Sequence, residues 1–265
     1  ERLRLLLVLT VVDIRAVGPG VWNSWKRQLL TELYDAAEEV LRLGHKQKGR
    51  EQRIASKKEA VAAQFGFDRK TFDKVARRLP ESYWIAEPAD VIADNLRALA
   101  ASDLGAIAIS CRPDPERGAT LATVIAPDNP GLFYRIAGGI NVSGGNIIDA
   151  RIHTTDKGVA LDNFLIQDPN EQPMDEPEQL ERLRENIEDA LSPEGDPLEP
   201  QLARKPQTQW RAEAFDVRPR VLFDNSASKR FTVVEVVARD RPALLYRLGR
   251  ALFRITLVVH SAHVA

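Results

Sequence analysis

The same sequence pattern occurs twice in the chain, first over residues 121–153 and again over 233–265. The clearest shared segment is DNPGLFYR at 128–135 and DRPALLYR at 240–247. In both copies a β-branched apolar run precedes this segment and an apolar-periodic stretch follows it, which predicts strand, loop, helix and strand in that order. Because an internal repeat fixes a whole supersecondary unit, it constrains the fold more than any single motif does.

Each shared segment predicts the start of a helix. Asp128 and Asp240 suit the N-cap position, and the proline two residues later suits a first helical turn. A helix start carries unpaired N–H groups that can hold a carboxylate. Gly131 leaves the backbone open to a ligand, whereas Ala243 in the second copy leaves less room. A cap and turn that binds no ligand is the alternative interpretation.

The repeat resembles the ACT domain, a small βαββαβ module that binds amino acids and regulates the enzyme to which it is attached. After the first copy's helix come Gly144–Ile152, where the family turns into its second strand, and Ala160–Asp168 as a third strand. The Gly-Asn pair allows a tight turn there. The resemblance predicts an α+β fold with ferredoxin-like modules. It also implies that the effector-binding residues are Asp128, Asn129, Gly131, Leu132, Asn146, Ile147, Asp240, Arg241, Ala243 and Leu244.

Three parts follow one another along the chain. Residues 1–104 have helical periodicity almost throughout, with stops at Gly44, Gly66 and Pro80. We predict a first module at 105–228, with a proline-rich insertion at 192–214, and an incomplete second module at 229–265. In this division Pro219–Asp224 is the fourth strand of the first module. The incomplete second module, about 35 residues long, is too short to bury a core alone, so we expect it to pack on another part of the chain or on another chain.

The composition of the chain limits which classes of partner and which compartment are expected. A net charge of −1 and a pI near 6.5 give no general electrostatic reason to bind nucleic acid or a membrane surface. The single cysteine, Cys111, makes no internal disulfide, so cytoplasm is the expected location. The N-terminal apolar run is too short to span a bilayer, and we predict a helix buried in a larger domain rather than a signal peptide.

A second resemblance covers Leu9–Lys26, which contains the run Gly18-Pro19-Gly20-Val21-Trp22. This segment resembles the end of the HD phosphohydrolase domain in the bifunctional enzymes that uridylylate the PII nitrogen-signalling protein and remove the uridylyl group. HD domains hold a divalent metal through a His, a His-Asp pair and a later Asp, and Asp13 matches that later Asp. The four histidines of the chain include no His-Asp pair. The resemblance therefore implies magnesium or manganese in the intact enzyme and an inactive chain here.

Taken together, the two resemblances cover nearly the whole chain, and 192–214 is the least diagnostic part. They imply the C-terminal, glutamine-sensing part of such an enzyme, with PII as the protein partner of the intact enzyme and self-association through the ACT modules as a further expectation. A non-catalytic amino-acid-binding module of another enzyme or regulator is the alternative. The Asp13 segment separates the two, because a general sensor has no reason to carry it.

Overall fold

The computed structural model describes residues 2–18, 22, 26–27, 30–31, 33–34, 37–38, 41, 48–66, 68–101, 105–192, 198, 202, 218–227, 231–239, 241 and 243–260. In its N-terminal part, the helices whose full extent lies within the described residues are α1 (Arg2–Val17), α2 (Lys48–Phe65), α3 (Arg69–Ala76), α4 (Glu81–Ala86) and α5 (Ala89–Ala101). The following part is β1 (Ala108–Asp114), β2 (Ala119–Pro127), α6 (Leu132–Val142), β3 (Asn146–Thr154), β4 (Val159–Gln167) and α7 (Pro177–Leu191). The last elements are β5 (Arg220–Asp224), β6 (Val233–Val237) and α8 (Leu244–Arg254).

The ends of the N-terminal helices agree with the sequence signals. Asp68 caps α3, and its Oδ1 accepts the Thr71 backbone N–H at 3.0 Å. Gly66 follows α2 with a φ of +78°, a left-handed conformation that glycine adopts at little cost. The Pro88 carbonyl accepts the Ile92 N–H at 3.0 Å at the start of α5. Local capping chemistry was therefore enough to place these boundaries.

Strands β1 to β4 form one antiparallel sheet in the order β1-β2-β4-β3. Together with α6 and α7, this confirms the α+β class, but the elements run ββαββα rather than βαββαβ. The edge position beside β2 belongs to β1. The prediction that Pro219–Asp224 supplies a fourth strand is wrong, because β5 pairs with β6 in a separate two-stranded sheet. In each copy the strand that precedes the β-branched run, β1 or β5, pairs with the strand that this run forms, so it is part of the repeat.

Each face of the four-stranded sheet is covered by a different layer of helices. One face packs on α6 and α7 through a buried cluster that includes Val124, Ile152, Phe164, Ile136 and Leu183. The other face packs on the helical segment α2 to α5. This second cluster joins sheet and helix residues that are all buried: Ile125, Val159 and Leu161 from the sheet, with Val61, Phe72, Trp84, Ile92 and Leu96 from the helices. The sheet is therefore the middle of three layers.

A buried polar cluster also joins the helical segment to the sheet. We call Glu87, Asn95, Thr123, His153 and Asn163 the interface cluster. Glu87 Oε1 accepts the Asn163 Nδ2–H at 3.0 Å and lies 3.2 Å from His153 Nε2. Asn163 Oδ1 accepts Thr123 Oγ1–H at 2.9 Å and Asn95 Nδ2–H at 3.2 Å. Since these side chains are buried and bonded across the interface, they fix one relative position of the two layers.

Helix α1 stands apart from these layers. None of its residues is buried, and its apolar side chains Leu5, Leu6, Val8 and Leu9 are each more than half exposed. Leu3, Leu7, Val11 and Ile14 form a half-buried stripe on the same helix. The prediction that this helix is buried in a larger domain stays a prediction. No helix in the described part of the chain is long and apolar enough to cross a membrane.

Cys111 on β1 gives a first testable expectation. Burial raises the pKa of its thiol to about 12, because the charged thiolate is poorly solvated there. The thiolate is the reactive form. We expect folded protein near pH 7.5 to react with a thiol reagent at least about tenfold more slowly than urea-unfolded protein. Stopped-flow absorbance measures both rates, and equal rates would contradict the burial of this side chain.

Candidate functional site

The two repeat copies pack against each other through equivalent helices, α6 and α8. Tyr134 and Tyr246, which hold the same position in the two copies, contact each other with ring centroids 5.8 Å apart. A Cβ built on Gly249 would lie 2.9 Å from Tyr134 Cβ, and one built on Gly138 would lie 2.9 Å from Tyr246 Cδ2. Each tyrosine thus packs on a glycine of the other helix, so the two helices approach closely. We call this contact the repeat interface.

An open pocket lies at one end of the repeat interface. Its cavity volume is about 30 Å³, within a wider space of about 430 Å³ that includes open solvent. The first copy contributes the loop and first helical turn 128–134, and the sheet contributes Ile152, Ala160 and Asp162. The second copy closes the pocket with Gly249, Phe253 and 257–259. A molecule bound here touches both copies.

The structure brings only some of the predicted effector-binding residues together. Asp128, Asn129, Gly131 and Leu132 line the pocket. Asn146, Ile147, Arg241, Ala243 and Leu244 do not line it, and Asp240 lies outside the described residues. In place of Asn146, the pocket contains Val258, which holds the equivalent position in the second copy. Which residues lie opposite the loop 128–132 depends on how one copy packs on the other, and the sequence pattern does not reveal this packing.

Asp128 is not the helix cap that the sequence predicted. Helix α6 begins at Leu132 after Gly131, which has a φ of +91° and no side chain to cap the first turn. Asp128 lies too early in the loop to reach that position. Its Oδ2 instead accepts Thr154 Oγ1–H at 2.9 Å, and its backbone N–H donates to the Gly158 carbonyl at 2.9 Å. Asp128 therefore anchors the loop to the sheet and leaves the start of α6 uncapped by a side chain.

Asp162 is the residue of the pocket that the sequence analysis missed. It lies on β4 between Ala160 and Phe164, on the face that packs against α6 and α7. The side chain is buried, and neither carboxylate oxygen has a hydrogen-bond partner among the described residues. Buried polar atoms in folded proteins nearly always have a partner. The available signal was an aspartate at an inward position of an apolar strand, in the run ALDNFLIQ.

Burial raises the pKa of the Asp162 carboxyl well above its usual range. The nearby carboxylate of Asp128 also raises the pKa of Asp162. The backbone N–H of His153 lowers this pKa, although its geometry is not that of an ordinary hydrogen bond. Burial therefore favours the neutral form of Asp162 in the folded protein. A cation placed beside it would favour the charged form.

The pocket combines two features of opposite electrical character. The N-terminus of α6 carries the positive end of the helix dipole and backbone N–H groups. The titratable side chains among the described lining residues are Asp128, Tyr134 and Asp162, and none of them is cationic. A helix N-terminus suits a carboxylate, and a buried acid suits an ammonium group. This arrangement matches the backbone end of a free α-amino acid.

The second copy carries backbone strain at the position equivalent to Gly131. Ala243 has a φ of +59°, a left-handed conformation that destabilises the fold by about 1 kcal/mol for a residue with a side chain. We expect Ala243→Gly to raise the free energy of unfolding by about 0.5 kcal/mol, since part of the relief is offset by greater freedom of the unfolded chain. Urea titration measures the change. The control Ala55→Gly, in the interior of α2, should lower it by about 1 kcal/mol, and a loss in both variants would contradict the strain.

Asp13, the candidate metal ligand, lies exposed on α1. The described part of the chain contains no group of three His, Cys, Asp or Glu residues that could hold a metal ion. A divalent site requires several such ligands. The described neighbours of Asp13 therefore supply no further metal ligands, and a ligand role for Asp13 in the intact enzyme stays a prediction.

Curated relatives match this chain along its whole length. A bifunctional uridylyltransferase/uridylyl-removing enzyme from Novosphingobium aromaticivorans is 61% identical over 265 residues, which is 100% of this chain and 29% of that enzyme. Enzymes of the same name from Erythrobacter litoralis and Zymomonas mobilis are 60% and 47% identical, each again over 100% of this chain and 29% of the enzyme. The chain thus spans less than a third of the length of these relatives. No protein-family profile and no solved structure matches it.

Proposed function

The chain belongs to the family of bifunctional uridylyltransferase/uridylyl-removing enzymes, of which it spans a part, and from that premise we propose that it is the family's glutamine-sensing part. In this proposal the intact enzyme transfers uridylyl groups from UTP to the PII protein when glutamine is scarce and removes them when glutamine is plentiful. Catalysis, with its divalent metal, is assigned to parts of the enzyme outside this chain. The chain itself supplies the ACT-type effector site.

One observation carries the proposal: the pocket lies between the two repeat copies and offers complementary groups for an amino acid. The uncapped start of α6 suits the α-carboxylate, and the acid on β4 suits the α-ammonium group. The choice of glutamine over glutamate is supported by charge. Because the described lining has carboxyl groups and no cationic side chain, a second carboxylate on the ligand would be repelled.

The position of the pocket also supports a regulatory role. The interface cluster and the apolar contacts beside it hold the helical segment to the sheet. The second copy is joined to the first chiefly through α6 and α8, while β5 and β6 are largely exposed. A ligand that touches both copies therefore favours one position of the second copy over others. A coupling of about 1–3 kcal/mol would change activity several-fold.

Calorimetric titration of this chain with glutamine, with glutamate as the matched control, tests the proposal. We expect saturable binding of glutamine and at least about tenfold weaker binding of glutamate, because a charged group replaces a neutral amide near two acids. Equal affinities would contradict the proposed selectivity. Binding of neither ligand would contradict the sensor function of this pocket.

A further inference from the structure

Asp162 stands out among the buried groups of the described chain because no structural role accounts for it. The other buried acids have partners: Asp114 bonds to Arg117, Asp149 pairs with Arg151 at 3.1 Å, and Glu87 belongs to the interface cluster. Asp162 instead borders the pocket with both oxygens lacking a hydrogen bond. Since burying an unpaired polar group destabilises a fold, such a group is most simply explained by a ligand that pairs with it.

We propose that Asp162 binds the α-ammonium group of the amino-acid effector and loses its proton to solvent when it does so. This inference rests on the proposed function, and it names the residue that recognises the ligand's cationic end. The bound pair is a carboxylate and an ammonium group, and the released proton passes to the buffer. Charge is balanced, because the neutral acid and the cationic ligand become an ion pair and one free proton.

The surroundings of Asp162 favour this exchange. From the loop, Asp128 faces it with a second carboxyl group, and from α6 the pocket is lined by the phenol of Tyr134. On β3 the neighbours are Ile152 and the backbone of His153, and α8 and the segment after it contribute Phe253 and the apolar run 257–259. No described lining residue offers a competing cation. A charge-assisted pair in such a site is about twice as strong as a neutral hydrogen bond.

The test combines one protein change with one ligand change. Asp162→Asn keeps the shape of the side chain but removes its ability to become an anion. The analogue 4-carbamoylbutanoate is glutamine without its α-ammonium group. We expect wild-type protein to bind glutamine at least about tenfold more tightly than the variant does. We also expect the variant to bind glutamine and the analogue with similar affinity, because the pair is already broken.

Calorimetry in two buffers of different ionisation enthalpy gives a readout that a merely structural role would not change. Wild-type protein should release up to one proton per glutamine bound near pH 7, and Asp162→Asn should release none. Asp156→Asn, in the exposed turn between β3 and β4, is the control and should match wild type in both respects. Circular dichroism confirms that each variant is folded.

The outcomes separate this inference from the proposed function. If wild type binds glutamine and Asp162→Asn binds it equally well with the same proton release, the assignment of Asp162 is wrong while the sensor function stands. If the variant loses affinity but still discriminates against the analogue, Asp162 does not contact the ammonium group. If wild type binds no glutamine, the proposed function fails and this inference fails with it.

Discussion

Replacing Glu87 by alanine is expected to lower the free energy of unfolding by about 3–5 kcal/mol, because it leaves buried donors without their acceptor. The Glu87 carboxylate is 2% exposed and accepts from Asn163. Its other oxygen lies 3.6 Å from Nη1 of Arg151, a side chain that is itself only 18% exposed. Removing one partner of a buried ion pair costs more than the pair contributes net, since the remaining charge stays desolvated.

The loss should also appear as a separation of layers. The interface cluster is the polar part of the contact between the helical segment and the sheet, so we expect trypsin to cleave α2 to α5 faster in Glu87→Ala. Urea titration and limited proteolysis measure the two effects. Glu87→Gln keeps an acceptor and should lose less. Glu185→Ala, an exposed carboxylate on α7, should change stability by less than about 0.5 kcal/mol. Similar behaviour of Glu87→Ala and Glu185→Ala would contradict a structural role for the cluster.

Replacing Asp162 by asparagine is expected to stabilise the unliganded protein near neutral pH. The carboxyl titrates at its ordinary pKa of 3.8 in the unfolded chain, but burial raises its pKa well above that value in the folded state. Between those two pKa values unfolding releases a proton, so stability falls as the pH rises. The slope approaches about 1.4 kcal/mol per pH unit for one such group. Asparagine carries no proton to lose and removes this dependence.

We therefore expect the variant and wild type to have similar stability near pH 4. Near pH 8 the variant should be more stable by about 1 kcal/mol or more, which raises the melting temperature by a few degrees. Urea titrations across this pH range measure the difference. A difference that stays constant with pH would contradict a buried, protonated Asp162. A stable variant with weakened glutamine binding would show that the buried acid is kept for recognition at the expense of stability.

Much of the fold could be predicted from local chemistry. The cap at Asp68, the helix end at Gly66 and the strands after Gly145 and Gly158 depend on nearby residues, and the structure has them close to the predicted positions. The partner of β5 could not be predicted in this way. Strand pairing depends on which edge is free, and β1 already holds the edge beside β2. A ββαββα order leaves β5 to pair with its own neighbour β6.

The site was predicted only in part, because some of its residues carry a local signal and others are brought in by the packing of the two copies. The loop from Asp128 to Leu132 carries its signal in consecutive residues, so it could be found from the sequence. The opposite wall depends on how α8 packs against α6, and this packing joins the loop of one copy to the segment 257–259 of the other. The importance of Asp162 could not be read from its residue type alone, because its missing hydrogen bonds appear only when the neighbouring strands are in place.

The central claim is that an amino acid binds between the two repeat copies, and hydrogen exchange with mass spectrometry tests it most directly. With glutamine at saturation we expect slower exchange in two segments together, the loop and first turn at 128–134 and the second-copy wall at 249–260. Glutamate at the same concentration should slow neither segment appreciably. Protection confined to one copy, or at positions away from the pocket, would contradict a ligand held between the copies.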